Sequence, residues 1–135
     1  MSRPLVYRPD PKLDLVFERV VDVSPGLVWA AWTRPRHLMK WFTPAPWRTV
    51  ACTIDLRPGG LFHTVMQSPD GKKYPNTGCY LEVIQGKRLV WTDALGSGYR
   101  PVARSSFDSS AWELGGFTAV ISLAARGKGT RYRAV

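Results

Sequence analysis

Cysteine, histidine and acidic side chains are scarce in this 135-residue chain, and each scarcity closes off a class of chemistry. The two cysteines, Cys52 and Cys79, and the two histidines, His37 and His63, show no CxxC spacing and no paired-histidine pattern, so no metal site is expected. Both cysteines fall in segments that read as strands, where a buried free thiol is favoured over a disulfide. No apolar run approaches the roughly 18 residues of a membrane span, so no membrane partner is expected. The opening MSRPLVYRPDPKLD lacks the apolar core of a secretory signal, and a cytoplasmic location is the expectation. Phosphate loops and dinucleotide fingerprints are missing too, because RPGG at 57–60 has neither their glycine spacing nor their lysine, and no cofactor is expected. Ten acidic residues against 19 basic ones leave a net charge of +9, which invites phosphate. The basic residues are nevertheless scattered, with local concentrations only at Arg34, Arg36 and Lys40 and at Arg126, Lys128, Arg131 and Arg133. A solvated basic surface without a specific nucleic-acid partner follows.

Aromatic side chains are what the chain has in quantity, at 12% with six tryptophans. They concentrate in SPGLVWAAWTRPRHLMKWF at 24–42. Ser24 is an N-cap candidate, Pro25 suits the first helical position, and Leu27, Val28, Ala31 and Trp32 recur at helical spacing with Trp29 beside them. Pro35 ends that helix, and 36–42 can make another turn that presents Leu38, Met39, Trp41 and Phe42.

Around this block the pattern is that of strands. Residues 13–23 carry Leu15, Phe17, Val20 and Val21 and read as a first strand. The prolines of TPAPW at 43–47 forbid regular structure, and 48–56 then alternates through Val50, Cys52, Ile54 and Leu56. RPGG turns the chain into a strand at 61–67, and SPDG at 68–71 is a strong hairpin signal. Strands at 76–84 and 88–95 are separated by QGK, a long loop of Gly, Ser, Arg and Pro occupies 96–116, and strands at 117–126 and 130–135 flank GKG. The chain therefore reads as one domain over 1–135 with an α+β plan. A curved antiparallel sheet of about six strands is expected, with two short helices after the first strand and a concave face that they only partly fill.

Taken in order, SPGLVWAAWTRPRHLMKWF, DLRPGG, PDG at 69–71, GCYLEV at 78–83, RLVWTDAL at 88–95, GYRP at 98–101 and GTRY at 129–132 resemble the START-like, helix-grip superfamily. Within it they are similar to the polyketide-cyclase-like branch named after the activator of the Hsp90 ATPase. The resemblance implies a hydrophobic cavity between sheet and helices, closed in family members by a long C-terminal helix that a His-bearing segment precedes. This chain stops at Val135, at the end of its last strand, so that helix is expected to be missing from it. An open apolar face drives association, and a homodimer is the expected consequence.

The candidate site residues follow from parity and chemistry. Leu89, Trp91, Asp93 and Leu95 share a strand face, so Asp93 looks into the concave side, pairing with Arg100 or rising in pKa. Asp93 and His63 are the only candidates for an acid or base, against the plainer readings of a loop-capping Asp and a hydrogen-bonded strand His. Trp41, Trp47, Phe62, Met66, Tyr80, Trp91 and Tyr99 are candidate pocket walls, with Asp93 and Arg100 as polar anchors, whereas Trp29 and Trp32 read as packing. The leading expectation is binding of a small hydrophobic or aromatic molecule. A cyclase, aromatase or hydrolase in the same cavity is the alternative, and a co-chaperone of the Hsp90 ATPase is implied by the resemblance alone.

Overall fold

The computed structural model describes residues 10–12, 14–101 and 118–135. Strand β1 (Phe17–Val21) leads into helices α1 (Pro25–Thr33) and α2 (Pro35–Leu38). Strands β2 (Arg48–Ile54), β3 (Leu61–Gln67), β4 (Lys73–Ile84) and β5 (Arg88–Thr92) follow as a meander. A small hairpin, β6 (Leu95–Gly96) and β7 (Arg100–Pro101), encloses a single 3₁₀ turn, Ser97–Tyr99. Strands β8 (Thr118–Arg126) and β9 (Gly129–Ala134) complete the order. The main sheet has seven strands in the order β1-β9-β8-β5-β4-β3-β2, so the α+β plan of one strand, two helices and a six-strand meander holds. All its pairings are antiparallel. Register shifts between Thr49 and Ala51 and between Tyr80 and Glu82 bend the β2 to β4 half, as bulges do.

The helical block forms for the reasons its sequence carries. The Ser24 hydroxyl accepts the Leu27 N–H at 3.4 Å, and Pro25 occupies the first turn. Arg34 is extended because Pro35 follows it, which ends α1 and starts α2 at once. The buried stripe of α1 is Trp29 and Trp32 with Val28 beside them. Leu27, expected on that stripe, is 65% exposed: a residue two positions before Trp29 lies more than half a turn from it, and the two indoles claim the sheet. The helix α2 stops at Leu38, and residues 39–42 continue as turns through Phe42 N–H to the Leu38 carbonyl at 3.0 Å.

Several strand limits differ from expectation. β1 is confined to Phe17–Val21 because its partner β9 offers only Thr130 to Ala134 across from it. β4 begins earlier, at Lys73, and accommodates Pro75 where β3 borders it on one side and β5 does not yet reach it on the other. The expected 88–95 strand breaks after Thr92, and Leu95 to Pro101 form the small hairpin rather than the start of a loop. The rest of the expected loop lies outside the described residues.

The core is one layer of indoles and aliphatics between helices and sheet. Trp29, Trp32 and Leu38 from the helices meet Phe62, Tyr80, Leu89, Trp91, Ile121 and Leu123 from the sheet. Both cysteines are free, Cys79 fully buried and Cys52 half-buried. The RPGG turn ties down the middle of this sheet. The Gly59 N–H donates to the Tyr80 carbonyl at 2.7 Å, the Tyr80 N–H donates to the Gly60 carbonyl at 3.0 Å, and the Gly98 N–H donates to the Gly59 carbonyl at 2.7 Å. Gly59 has φ of +79°, and a Cβ on Gly60 would collide with the Asp55 carbonyl oxygen.

Candidate functional site

Side chains of alternate residues in β2, β3, β4, β5 and β8 face the helices, and the paired registers bring them into one surface. Ile54 lies across from Phe62, Cys52 from Thr64, Met66 from Tyr74, and Tyr80 from Trp91. Phe62 and Tyr80 stack at 5.3 Å with ring planes 7° apart, and Trp91 meets Phe62 edge-on at 4.9 Å. Phe42 comes down from the helical block, 5.7 Å from Phe62 and 6.3 Å from Trp91. Behind it Trp41 packs edge-on against Trp32 at 4.6 Å and donates its indole N–H to the Ala31 carbonyl at 3.0 Å. Trp41 keeps 42% of its surface open, so it stands at the rim of this aromatic block.

The Tyr80 hydroxyl is a buried polar atom of this block. Tyr80 is completely buried, and its hydroxyl has no hydrogen-bond partner among the described residues. Burial pushes its phenol well above the usual range, with the Cys52 thiol adding to the rise. A buried donor and acceptor left unpaired costs about 1–3 kcal/mol, so its retention in an otherwise apolar setting calls for a use. Cys52 is itself pushed up to about 11 by burial, while Tyr132 is raised by burial against a lowering bond from the Trp32 side chain. Between pH 9 and 11 the unfolded chain loses the Cys52 proton and the folded chain keeps it, so this group lowers stability as pH rises through that window and contributes nothing below it. The expected result is that Cys52 alkylates about a hundredfold more slowly in the folded than in the urea-unfolded chain at pH 8, read by site-resolved mass spectrometry. Equal rates would remove Cys52 from the buried face.

The remaining candidates are more dispersed. Met66 is half-buried on the same face as Phe62. Trp47 packs on Tyr74 at 5.4 Å, towards the hairpin end of β3 and β4, where the Lys72 ammonium lies 5.4 Å from the Tyr74 ring centre. Tyr99 covers Gly59 with its ring, at φ of +62°. Asp93 is half-buried just beyond β5, and Arg100 is exposed in β7. His63 points away from Phe62, by strand alternation, and its Nδ1 lies 3.2 Å from the Thr77 hydroxyl. His37 is exposed in α2. Asp55 and Arg57 form an exposed ion pair at 2.8 Å in the RPGG turn. Among the described residues no group of three His, Cys, Asp or Glu side chains is placed to hold a metal, and no helix is long and apolar enough to cross a membrane. Phe42, Cys52, Ile54, Thr64 and Tyr74 contribute to this surface and were not singled out as site residues; the signal for Phe42 is its place just before TPAPW, whose prolines fix the chain's direction.

A helical pair laid on a seven-stranded antiparallel sheet, with this strand order, agrees with the family comparison. Residues 22–135 match the model of the activator of Hsp90 ATPase homolog 1-like protein family. The chain belongs to that family. A crystal structure of a Nitrosomonas europaea protein is 48% identical, with a TM-score of 0.83 over 93% of this chain and 75% of that one. A Chromobacterium violaceum protein is 25% identical with a TM-score of 0.69, covering 89% of this chain and 75% of that one. A solution structure from Arthrobacter aurescens is 25% identical with a TM-score of 0.70, covering 88% of this chain and 64% of that one. No curated protein matches the sequence.

Proposed function

We propose that this family member binds a small, uncharged aromatic or hydrophobic molecule between the helical block and the β2 to β5 half of the sheet. The observation that carries the reading is the Tyr80 hydroxyl, fully buried and unpartnered within an aromatic face. A ligand with an oxygen acceptor or donor would satisfy that hydroxyl, and its ring would exchange with the aromatic contacts of Phe42, Phe62 and Trp91. Entry lies at the rim, where Trp41 and Trp47 are 42% and 38% exposed and Met66 supplies an adaptable wall. Asp93 and Arg100 are the candidates for polar anchoring at the end of β5 and in β7. The neutral phenol favours an uncharged ligand, because no charged group need be desolvated against it.

Tyr80→Phe separates this reading from a purely structural role. Removing an unpaired hydroxyl from the core is expected to raise unfolding free energy by about 1 kcal/mol in urea, since nothing is lost but a desolvated group. The same change is expected to weaken 2-naphthol about tenfold in calorimetric titration while leaving naphthalene unchanged. Equal losses for both compounds, or no loss for either, would dismiss Tyr80 as the ligand's polar contact.

A further inference from the structure

Tyr80 and Cys52 bring protons to the aromatic block, and what they lack is an acceptor. A phenol donates strongly and accepts poorly, because its oxygen shares a lone pair with the ring. The Tyr80 hydroxyl is buried without a hydrogen-bond partner among the described residues, so its proton is the costlier of its two unmet capacities. The neighbouring rings cannot take that proton as an oxygen would. Phe62 stacks on Tyr80, and Trp91, across from it in β5, carries an indole N–H that is a donor only. A water molecule would need about two to four polar partners to settle there, which these rings do not provide. Cys52 faces the same side of the sheet, across from Thr64 and two residues from Ile54, the partner of Phe62. Burial raises the Tyr80 phenol, and Cys52 lies close enough to add to the rise. The Cys52 thiol is itself pushed up to about 11 by burial, so it keeps its proton and is a weak second donor.

Charge narrows the acceptor further. Arg48 and Lys73 both lie across from Gln67, Glu82 lies across from Val90 and Arg88 across from Ile84, positions that alternate with Met66, Tyr74 and Leu89 and so face away from the helices. Glu82 and Arg88 pair with each other at 3.0 Å on that far side. The helix-facing side of β2 to β5 therefore carries no charged side chain among the described residues, and a carboxylate bound there would be desolvated without a counter-charge from these strands. Building on the binding site proposed for this block, we propose that its ligand is an aryl ketone whose carbonyl oxygen accepts from the Tyr80 hydroxyl, with the Cys52 thiol as a second donor. A carbonyl oxygen is neutral, has two lone pairs and brings no proton that needs an acceptor of its own. A phenolic ligand such as 2-naphthol is the weaker match. It accepts through an oxygen as poor as that of Tyr80, or it donates and leaves the Tyr80 proton unpaired.

The probe is 2-acetylnaphthalene, compared by calorimetric titration of the full chain with 2-naphthol and with 2-isopropenylnaphthalene, in which a CH₂ group replaces the carbonyl oxygen. The ketone is expected to bind about tenfold more tightly than the alkene, and more tightly than 2-naphthol. Its carbonyl stretch, isotope-labelled to stand apart from the amide absorption of the protein, is expected to fall below its frequency in an alkane solvent. Tyr80→Phe is expected to return the stretch most of the way to the alkane value and to bring ketone and alkene to nearly equal affinity. Cys52→Ala is expected to return it only part of the way. Saturable binding of 2-naphthol with no preference for the ketone over the alkene would overturn the carbonyl assignment and leave the aromatic site standing. A lowered stretch that survives Tyr80→Phe would place the donor elsewhere and overturn it as well. Failure of all three compounds to bind saturably would overturn both the assignment and the site.

Discussion

Gly60→Ala is expected to cost the fold at least about 4 kcal/mol, more than an ordinary core truncation, and to leave little folded protein at 37 °C. The methyl group would collide with the Asp55 carbonyl oxygen and lie 2.9 Å from that of Arg57, so backbone has to move rather than a side-chain tip. The consequence reaches the site, because the Gly60 carbonyl accepts the Tyr80 N–H at 3.0 Å and neighbouring Gly59 donates to the Tyr80 carbonyl at 2.7 Å. Shifting the turn breaks both bonds that hold Tyr80 in place between Phe62 and Trp91. Urea denaturation with far-ultraviolet circular dichroism checks the value. Gly26→Ala is the control: it has open space around its Cβ and sits in α1, so it is expected to be neutral or stabilising by up to about 1 kcal/mol. A Gly60→Ala protein as stable as the parent would show that the turn is not as close as described.

Phe42→Ala is expected to destabilise by about 3 kcal/mol and to open a cavity over the sheet. The ring touches four aromatic neighbours, Trp32, Trp41, Phe62 and Trp91, at centroid distances from 5.7 to 6.3 Å, so its loss removes contacts on every side. It is only half-buried, which keeps the cost below that of a fully enclosed phenylalanine. A cavity lined by aromatic and aliphatic groups stays dry and takes up small apolar molecules. Indole or benzene is therefore expected to raise the melting temperature of Phe42→Ala more than that of the parent, with the difference growing with concentration as linkage requires. A destabilised variant that gains nothing from either compound would mean that the site collapses, and that the helical block does not keep its distance from the sheet without Phe42.

The succession of strands along the chain and the helical block were legible in the sequence because each rests on local chemistry, whereas the pairing of β1 with β9 was not. Ser24 and Pro25 start α1, Pro35 divides it from α2, and alternation at Phe62, Thr64 and Met66 sets one face of β3. What was not legible depends on partners far along the chain. The limits of β1 are set by the reach of β9, more than a hundred residues away, and the extra length of β4 by its neighbours. Leu27 fails as a core residue because α1 is apolar on nearly every side, so periodicity alone does not choose the face that the sheet covers. In the candidate site, Phe62 and Trp91 were singled out by parity and Tyr80 as an aromatic, and the three rings lie together. Trp47 and Tyr99 were chosen as aromatics of the same kind, but they pack on Tyr74 and Gly59, because composition does not say which end of a strand a ring will cover. The orphaned hydroxyl of Tyr80 is a fact of three dimensions, invisible until Phe62, Trp91 and the helices close around it.

Calorimetric titration of the intact chain with 2-naphthol measures the central claim most directly. The account predicts a saturable, one-to-one heat with tighter binding than naphthalene, the difference resting on the Tyr80 hydroxyl. A non-saturating partition of both compounds, with no preference for the hydroxylated one, would contradict it.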